Sequence, residues 1–297
     1  MSSARVGTCS WTDPTLTESG LFYPALRMTA EQRLKFYASN FDTVEVDSTF
    51  YALPSEKVVG LQTQRTPDDF TLHYKAFGLL TQHMIDPRRL PKIIKEMLPS
   101  GMERASRLGY KQVPEKAKEM AWQMFDSALL PAESASKLGV VLFQFPPYFS
   151  FSPSNQEYIL ECKARLKHYR LAIEFRHSSW LTEENRAETQ SFLKSNQLVY
   201  VCVDEPQFDG GTTVPPIVFA TSDIAYVRFH GRNTSNWYKK GISVAERYAY
   251  EYTEDELADW VHKLEKISPF TNETYVMFNN CFHNYAVKNA MQLAQML

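Results

Sequence analysis

At 297 residues, with 44% hydrophobic and 13% aromatic content, the chain can bury a core as one large α/β domain or two ordinary ones, and wholesale disorder is excluded. A formal net charge of -2 lacks the basic excess of a dedicated nucleic-acid coat, while leaving room for a local basic groove. No apolar run reaches the roughly 18 to 20 residues needed to cross a bilayer; with no CxxC pair among Cys9, Cys162, Cys202 and Cys281 and no secretory leader pattern, a cytoplasmic protein with reduced thiols is expected.

Taken in chain order, a first strand is expected around Val6 to Trp11, followed by a polar Pro/Gly loop. Thr29 is placed to cap a helix through Leu34, Phe36 and Tyr37. The second strand ends near Tyr51, and Ser55 caps a helix expected to bury Val58, Val59 and Leu61. After a third strand closing near Phe77, the stretch from about 79 to 137 is longer than one crossover needs. Pro87 to Leu98 and Pro114 to Leu130 read as helices within it, divided by SGMERASRLGY. This insertion is either a mobile lid or an extra helical layer, with a disordered tip expected around Ser100 to Tyr110. The spacing of Ala117, Met120, Ala121, Met124 and Phe125 favours packing for its second helix.

From Leu138 onward strand and helix alternate again, with helices from Ser154 and Thr182. The DGGTTVPP loop leads to the seventh strand. Thr253 and Glu256 form a capping-box pattern, and a terminal helix starts at Tyr285. Eight strands alternating with helices suit one TIM-barrel-like (β/α)8 domain over residues 1–297, with a helical insertion after strand three. A doubly wound sheet would also alternate, but no GxGxxG or P-loop follows the first strand.

Several strands carry polar groups on one side of an apolar alternation. Glu45 and Asp47 oppose Val44 and Val46, and Glu174 and Arg176 oppose Ile173 and Phe175. Asp204 and Cys202 oppose Val201 and Val203, and Arg228 and His230 oppose Val227 and Phe229. Lys75, Gln144, Asn279 and Asn280 also lie near strand ends, the two asparagines on opposite faces. Burying so many polar groups is costly unless they meet each other or a ligand. If the bulky apolar sets face the helices, the charged sets line the interior and converge at the C-terminal mouth, where barrels place their chemistry. The alternative is a set of mutually satisfied ion pairs that merely fills the barrel.

The motifs GTCSW, VEVDSTFYALP, TPDDF, TQH, LGVVLFQFPP, AIEFRHSSW, YVRFHGR and FNN, in this order over nearly the whole chain, closely resemble the YecE-like family, domain of unknown function 72. The resemblance implies a TIM-barrel-like fold and carries no assigned activity. A broader likeness to endonuclease-IV-like and xylose-isomerase-like barrels implies nucleic-acid processing as one direction. VEVD stands where VEIN is usual, so Asp47 adds a carboxylate, and FNNCFHNYA departs from the commoner acidic or Gly-containing turn.

Two functional classes follow. The first is a hydrolase or lyase acting on a phosphorylated, sugar-like or nucleotide-like substrate. Glu45 and Glu174 would be acid and base, with Lys75, Arg176, Asp204 and His230 completing the catalytic set. Lys75, Arg228 and Arg232 would neutralise phosphate; Trp11, Tyr51, Trp180 and Trp237 would stack on a sugar or base; Asp47, Gln144, Asn279 and Asn280 would add substrate contacts. A divalent ion such as Mg or Mn is left open as cofactor if Glu45, Asp47, Glu174, Asp204 and His230 converge. His177 and His283 are candidate loop ligands, and the scattered histidines argue against zinc. Cys281 beside the Asn pair is a weaker nucleophile candidate. The second class is a non-catalytic nucleic-acid or nucleotide binder that uses Arg104, Arg107 and Lys111 on phosphates with Tyr110 stacking. Its bland alternative is a solvated loop. No membrane partner is expected, and the sequence leaves oligomeric state open.

Overall fold

The computed structural model describes residues 4–297. Eight strands, β1 (Ala4–Thr8), β2 (Thr43–Val46), β3 (Thr71–Lys75), β4 (Leu138–Gln144), β5 (Leu171–Glu174), β6 (Val199–Asp204), β7 (Ile224–Phe229) and β8 (Glu273–Phe278), run parallel in the order β1-β8-β7-β6-β5-β4-β3-β2. Helices are interleaved between the strands, giving a nearly closed, TIM-barrel-like α/β fold.

The seam between β1 and β2 is closed by a side chain. The Tyr37 hydroxyl accepts from the Thr8 backbone N–H at 2.9 Å and donates to the Thr43 carbonyl at 3.2 Å. It thus satisfies backbone groups that a ladder would otherwise pair. Gly7 permits the approach, because a Cβ there would stand 2.4 Å from the Thr43 carbonyl oxygen.

Local signals set most elements. Thr29 and Thr253 form capping boxes with Gln32 and Glu256, and Ser55 caps its helix through the Val58 N–H. In the Ser55 helix only Val59 is fully buried; Val58 is exposed. The first expected helix of the insertion is corrected. Pro91 lacks an N–H and holds Leu90 extended, leaving a 3-10 turn at Pro87–Arg89 and one helical turn at Lys92–Lys95. The second runs Glu115–Ser134 and buries Ala117, Ala121 and Phe125. The expected disordered tip is instead ordered. Ile85 and Leu108 exchange both backbone bonds as an isolated bridge, and Leu108 is buried. Tyr110 packs edge-on against Tyr158 with Lys118 over its ring, so it is a packing residue. The insertion is a packed layer.

No helix among the described residues is long and apolar enough to cross a membrane. The barrel floor is aromatic: His73 stands edge-on to Tyr226 and Tyr275, over Gly139, where any Cβ would lie 2.3 Å from the imidazole.

Candidate functional site at the barrel mouth

Strand register decides which side chains look inward, since laterally paired residues of parallel strands share a face. Gln144 pairs with Glu174, and Arg228 with Met277 and Val203. The inward polar groups lie in two tiers.

The lower tier is built around Arg228, which is fully buried. Its Nη1 donates to Glu174 Oε2 at 2.5 Å and Gln144 Oε1 at 3.2 Å; its Nη2 donates to Glu45 Oε1 at 2.6 Å and faces Cys9 Sγ at 3.5 Å. Glu45 Oε2 accepts from the Tyr226 hydroxyl at 2.8 Å. Burial pushes the Glu45 carboxyl up to about 7, although Arg228 pulls it down. Burial also raises Glu174, but Arg228, His230 and Arg176 outweigh it and hold the carboxyl well below its ordinary value. His230 bridges Glu174 Oε1 at 3.0 Å through Nε2 and the Asn279 amide at 2.9 Å through Nδ1. Burial, aided by Arg176, lowers its pKa to about 3, so the neutral ring donates to Glu174 and accepts from Asn279.

The upper tier opens to solvent. Arg176 Nη1 lies 3.2 Å from Glu174 Oε1 and 2.9 Å from Glu205 Oε2, Nη2 donates to the Tyr248 hydroxyl at 3.2 Å, and the guanidinium sits over Trp237 at 5.4 Å. Burial pushes Glu205 up to about 7 against the pull of Arg176. Arg176, Glu205, Trp237 and Tyr248, with Gln144, Thr212, Tyr238 and Arg247, line a cavity of about 270 Å³. On another edge Lys75 Nζ is held loosely, 3.4 Å from Asp47 Oδ1 and 4.7 Å above the Phe50 ring. His83, near Phe50 and bonded to Thr81, is lowered to about 3 by burial, then by Lys75 and Arg176.

The structure therefore brings together Glu45, Asp47, Lys75, Gln144, Glu174, Arg176, Arg228, His230 and Asn279. Other expected members lie elsewhere. In β6 the inward residues are Val199, Val201 and Val203, so Asp204 faces the helical layer. There it accepts from Arg232 at 2.9 and 2.7 Å, Tyr252 at 2.9 Å and Trp260 at 2.6 Å. Arg232, also bonded to Glu256, is committed to that cluster and not to the mouth. Asn280 points outward to Tyr250 and Asn289. Trp180 is fully buried between Phe175 and Phe149, its Nε1 donating to the Phe149 carbonyl, and cannot stack on a ligand. Trp11 is buried with Nε1 unpaired and does not line the cavity. Tyr51 is exposed on the rim, under Arg89 at 5.6 Å.

The five groups considered for a divalent ion do not converge: Arg228 stands between Glu45 and Glu174, and Asp204 faces away. Among the described residues no group of three or more His, Cys, Asp or Glu side chains is arranged to hold a metal ion. His177 bonds Ser179, and burial pushes the Cys281 thiol well up, away from nucleophilic thiolate. Glu205 is among the residues that sequence reasoning missed, with Tyr226 and Tyr248. The signal for Glu205 was parity: it continues the Val199, Val201, Val203 series that faces inward.

A family model described as "Protein of unknown function DUF72" matches residues 5–297. The chain is 30% identical over 296 residues to the UPF0759 protein YunF of Bacillus subtilis, covering 98% of this chain and 94% of that one. Among solved structures it resembles a DUF72 family protein of Enterococcus faecalis, with a TM-score of 0.80 and 26% identity, over 99% of this chain and 95% of that one. It also resembles one from Thermotoga maritima, with a TM-score of 0.76 and 30% identity, over 99% and 98% of the two chains.

Proposed function

The chain belongs to the DUF72 family, described as proteins of unknown function, and on that footing we propose that its barrel mouth is a hydrolase or lyase site for a small phosphorylated or sugar-like substrate. The observation that carries this reading is the cavity at the strands' C-terminal ends, where the Arg176 cation, the Gln144 amide and the aromatic faces of Trp237 and Tyr248 converge. A guanidinium suits a phosphate or carboxylate, and aromatic walls suit the face of a sugar or base. Lys75, weakly paired on another edge, is a second cation for the charged group. Hydrolysis and elimination both need a group that exchanges a proton near neutral pH, and Glu205 on the cavity wall is pushed up to about 7; Glu45 is pushed up likewise but lies enclosed beneath the cavity with Arg228 and Tyr226. Glu174, held as an anion by three partners, is a positioning residue for Arg176 and His230.

The test is thermal melting of wild type and Arg176→Met against sugar phosphates and nucleoside monophosphates, with phosphate release assayed on any compound that binds. Stabilisation of the wild type that disappears in a well-folded Arg176→Met supports the site. A panel with no stabilising compound, or a shift that survives Arg176→Met, overturns it.

A further inference from the structure

Glu205 is 3% exposed yet forms part of the cavity wall. Its Oε1 accepts from the Val214 backbone N–H at 2.7 Å, which fixes the carboxyl against the loop after β6. Its Oε2 has no hydrogen-bond partner; its contact with Arg176 Nη1 at 2.9 Å is close in distance without hydrogen-bond alignment. A buried carboxylate oxygen left this way is costly, and the cost is removed if the oxygen acquires a proton and a new acceptor.

The charged neighbours of Glu205 come from every side. Glu174 faces it from the end of β5 and Arg176 from the segment just after that strand. Asp204 precedes it but is turned onto Arg232, Tyr252 and Trp260. Arg247 and Tyr248 line the same cavity from the loop after β7. Arg176 is shared between two acids. Glu174 also holds Arg228 and His230, so Glu205 is the partner that can release Arg176 with least disruption.

We propose that Arg176 and Glu205 form a proton-coupled oxyanion site. A tetrahedral oxyanion, such as a phosphate or sulfate group, takes the Arg176 N–H donors while Glu205 Oε2 takes one proton from solvent and donates it as a hydrogen bond to the ligand. No bond of the ligand forms or breaks; the only new covalent bond is the Glu205 O–H, whose proton comes from solvent, so uptake approaches one proton per anion above about pH 7 and falls away below it. This rests on the reading of the mouth as the ligand site and names the chemistry and the pH control of that site. Burial, which pushes Glu205 up to about 7 against Arg176, makes the uptake available at neutral pH.

Sulfate is the probe, because it stays dianionic from pH 6 to 8 and any pH dependence then belongs to the protein. Calorimetric titration in two buffers of different ionisation enthalpy counts the protons. One coupled proton with a pKa near 7 predicts sulfate affinity about tenfold weaker at pH 8 than at pH 6, with close to one proton taken up at pH 8. Glu205→Gln keeps an acceptor for Val214 and, once its melting profile confirms folding, should bind sulfate equally at both pH values. A parallel titration with phenyl sulfate identifies the source of the group. Tighter binding than sulfate assigns an organic ester stacked on Trp237, and equal binding assigns the free oxyanion; either supports the site.

An unchanged pH dependence in Glu205→Gln overturns the coupling, moves the proton to another carboxyl such as Glu45, and leaves the mouth reading intact. Absence of sulfate binding while sugar phosphates still stabilise the wild type through Arg176 also overturns the inference alone. Sulfate binding that survives Arg176→Met, together with sugar-phosphate stabilisation that survives it, overturns both.

Discussion

The two tiers of polar groups in this barrel share the same strands and differ in how completely they are satisfied. In the lower tier Arg228 is enclosed by Glu45, Glu174 and the half-buried Gln144, with only its Nε left without a partner, and the buried His230 is held by Glu174 and Asn279. In the upper tier Lys75 has a single distant carboxylate, Asp47 Oδ1 and Glu205 Oε2 have no hydrogen-bond partner, and Arg176 borders a cavity. Charge content alone therefore does not separate a structural network from a binding surface. Pairing together with access does: the lower tier's charges are all paired and its one spare donor, the Arg228 Nε, does not border the cavity, whereas the upper tier leaves Glu205 Oε2 unpartnered on the cavity wall beside Arg176.

The largest expected effect comes from breaking the lower tier. Arg228→Met leaves Glu45 and Glu174 buried without their shared cation, and should cost about 3–5 kcal/mol in denaturant unfolding. A loss below 1 kcal/mol would mean that the tier contributes little, and the contrast would fail. Next comes Asp204→Asn, outside both tiers. The amide nitrogen it introduces opposes either the Trp260 N–H or the Arg232 donors, at a cost of about 2–3 kcal/mol, while ligand-induced stabilisation at the mouth should be unchanged. A selective loss of ligand response there would return Asp204 to the site.

Glu205→Gln should act in the opposite direction. A carboxyl whose folded pKa is raised from 4.5 to about 7 binds its proton more tightly in the folded chain. Its contribution is therefore fully present at acid pH and is lost as pH rises through about 7. Gln mimics the protonated form, so the variant should match wild type below the unfolded value, at about pH 4, and exceed it by roughly 1–3 kcal/mol at about pH 8. Urea unfolding at the two pH values checks this. A variant less stable than wild type at pH 8 would show that the Arg176 pairing outweighs burial.

Much of the barrel was legible because the alternation of strand and helix persisted from Leu138 to the C-terminus, and because Thr29, Ser55 and Thr253 carry local capping chemistry. The inward faces of β2, β5 and β7 were legible too, since charged residues there share parity at successive positions. The same rule failed on β6. Both faces of a barrel strand are buried, and Val199, Val201 and Val203 fill the interior while Tyr200, Cys202 and Asp204 meet the outer layer. Hydrophobicity cannot tell two buried faces apart; the register with Tyr226 and Arg228 can, and it is a tertiary property. Trp180 failed for a related reason. Its position just after a strand suited a loop contact, but Phe149 and Phe175, one of them distant in sequence, enclose it.

The smallest expected effect gives the most direct test of the contrast. Lys75 is as deeply placed as many core residues, with its side chain 8% exposed, so burial alone would predict a severe penalty for its loss. Its ammonium, however, has as its one ion-pair contact Asp47 Oδ1 at 3.4 Å, sits 4.7 Å over the Phe50 ring, and feels Arg228, Glu45 and Tyr51 only at longer range. Met retains the packing of the aliphatic stem, and Asp47 keeps Arg228 at 3.7 Å. Lys75→Met should therefore change stability at pH 7 by less than about 1 kcal/mol while weakening any anionic ligand bound at the mouth. Lys75 and Arg228 hold Asp47 below its ordinary value despite burial, so their contribution is present above pH 3.8 and is lost as pH falls through the folded value. The variant should accordingly lose less stability on acidification than wild type does. A penalty near 3 kcal/mol at pH 7 would place Lys75 with Arg228 among the groups that hold the barrel together, and the distinction between the two tiers would not survive it.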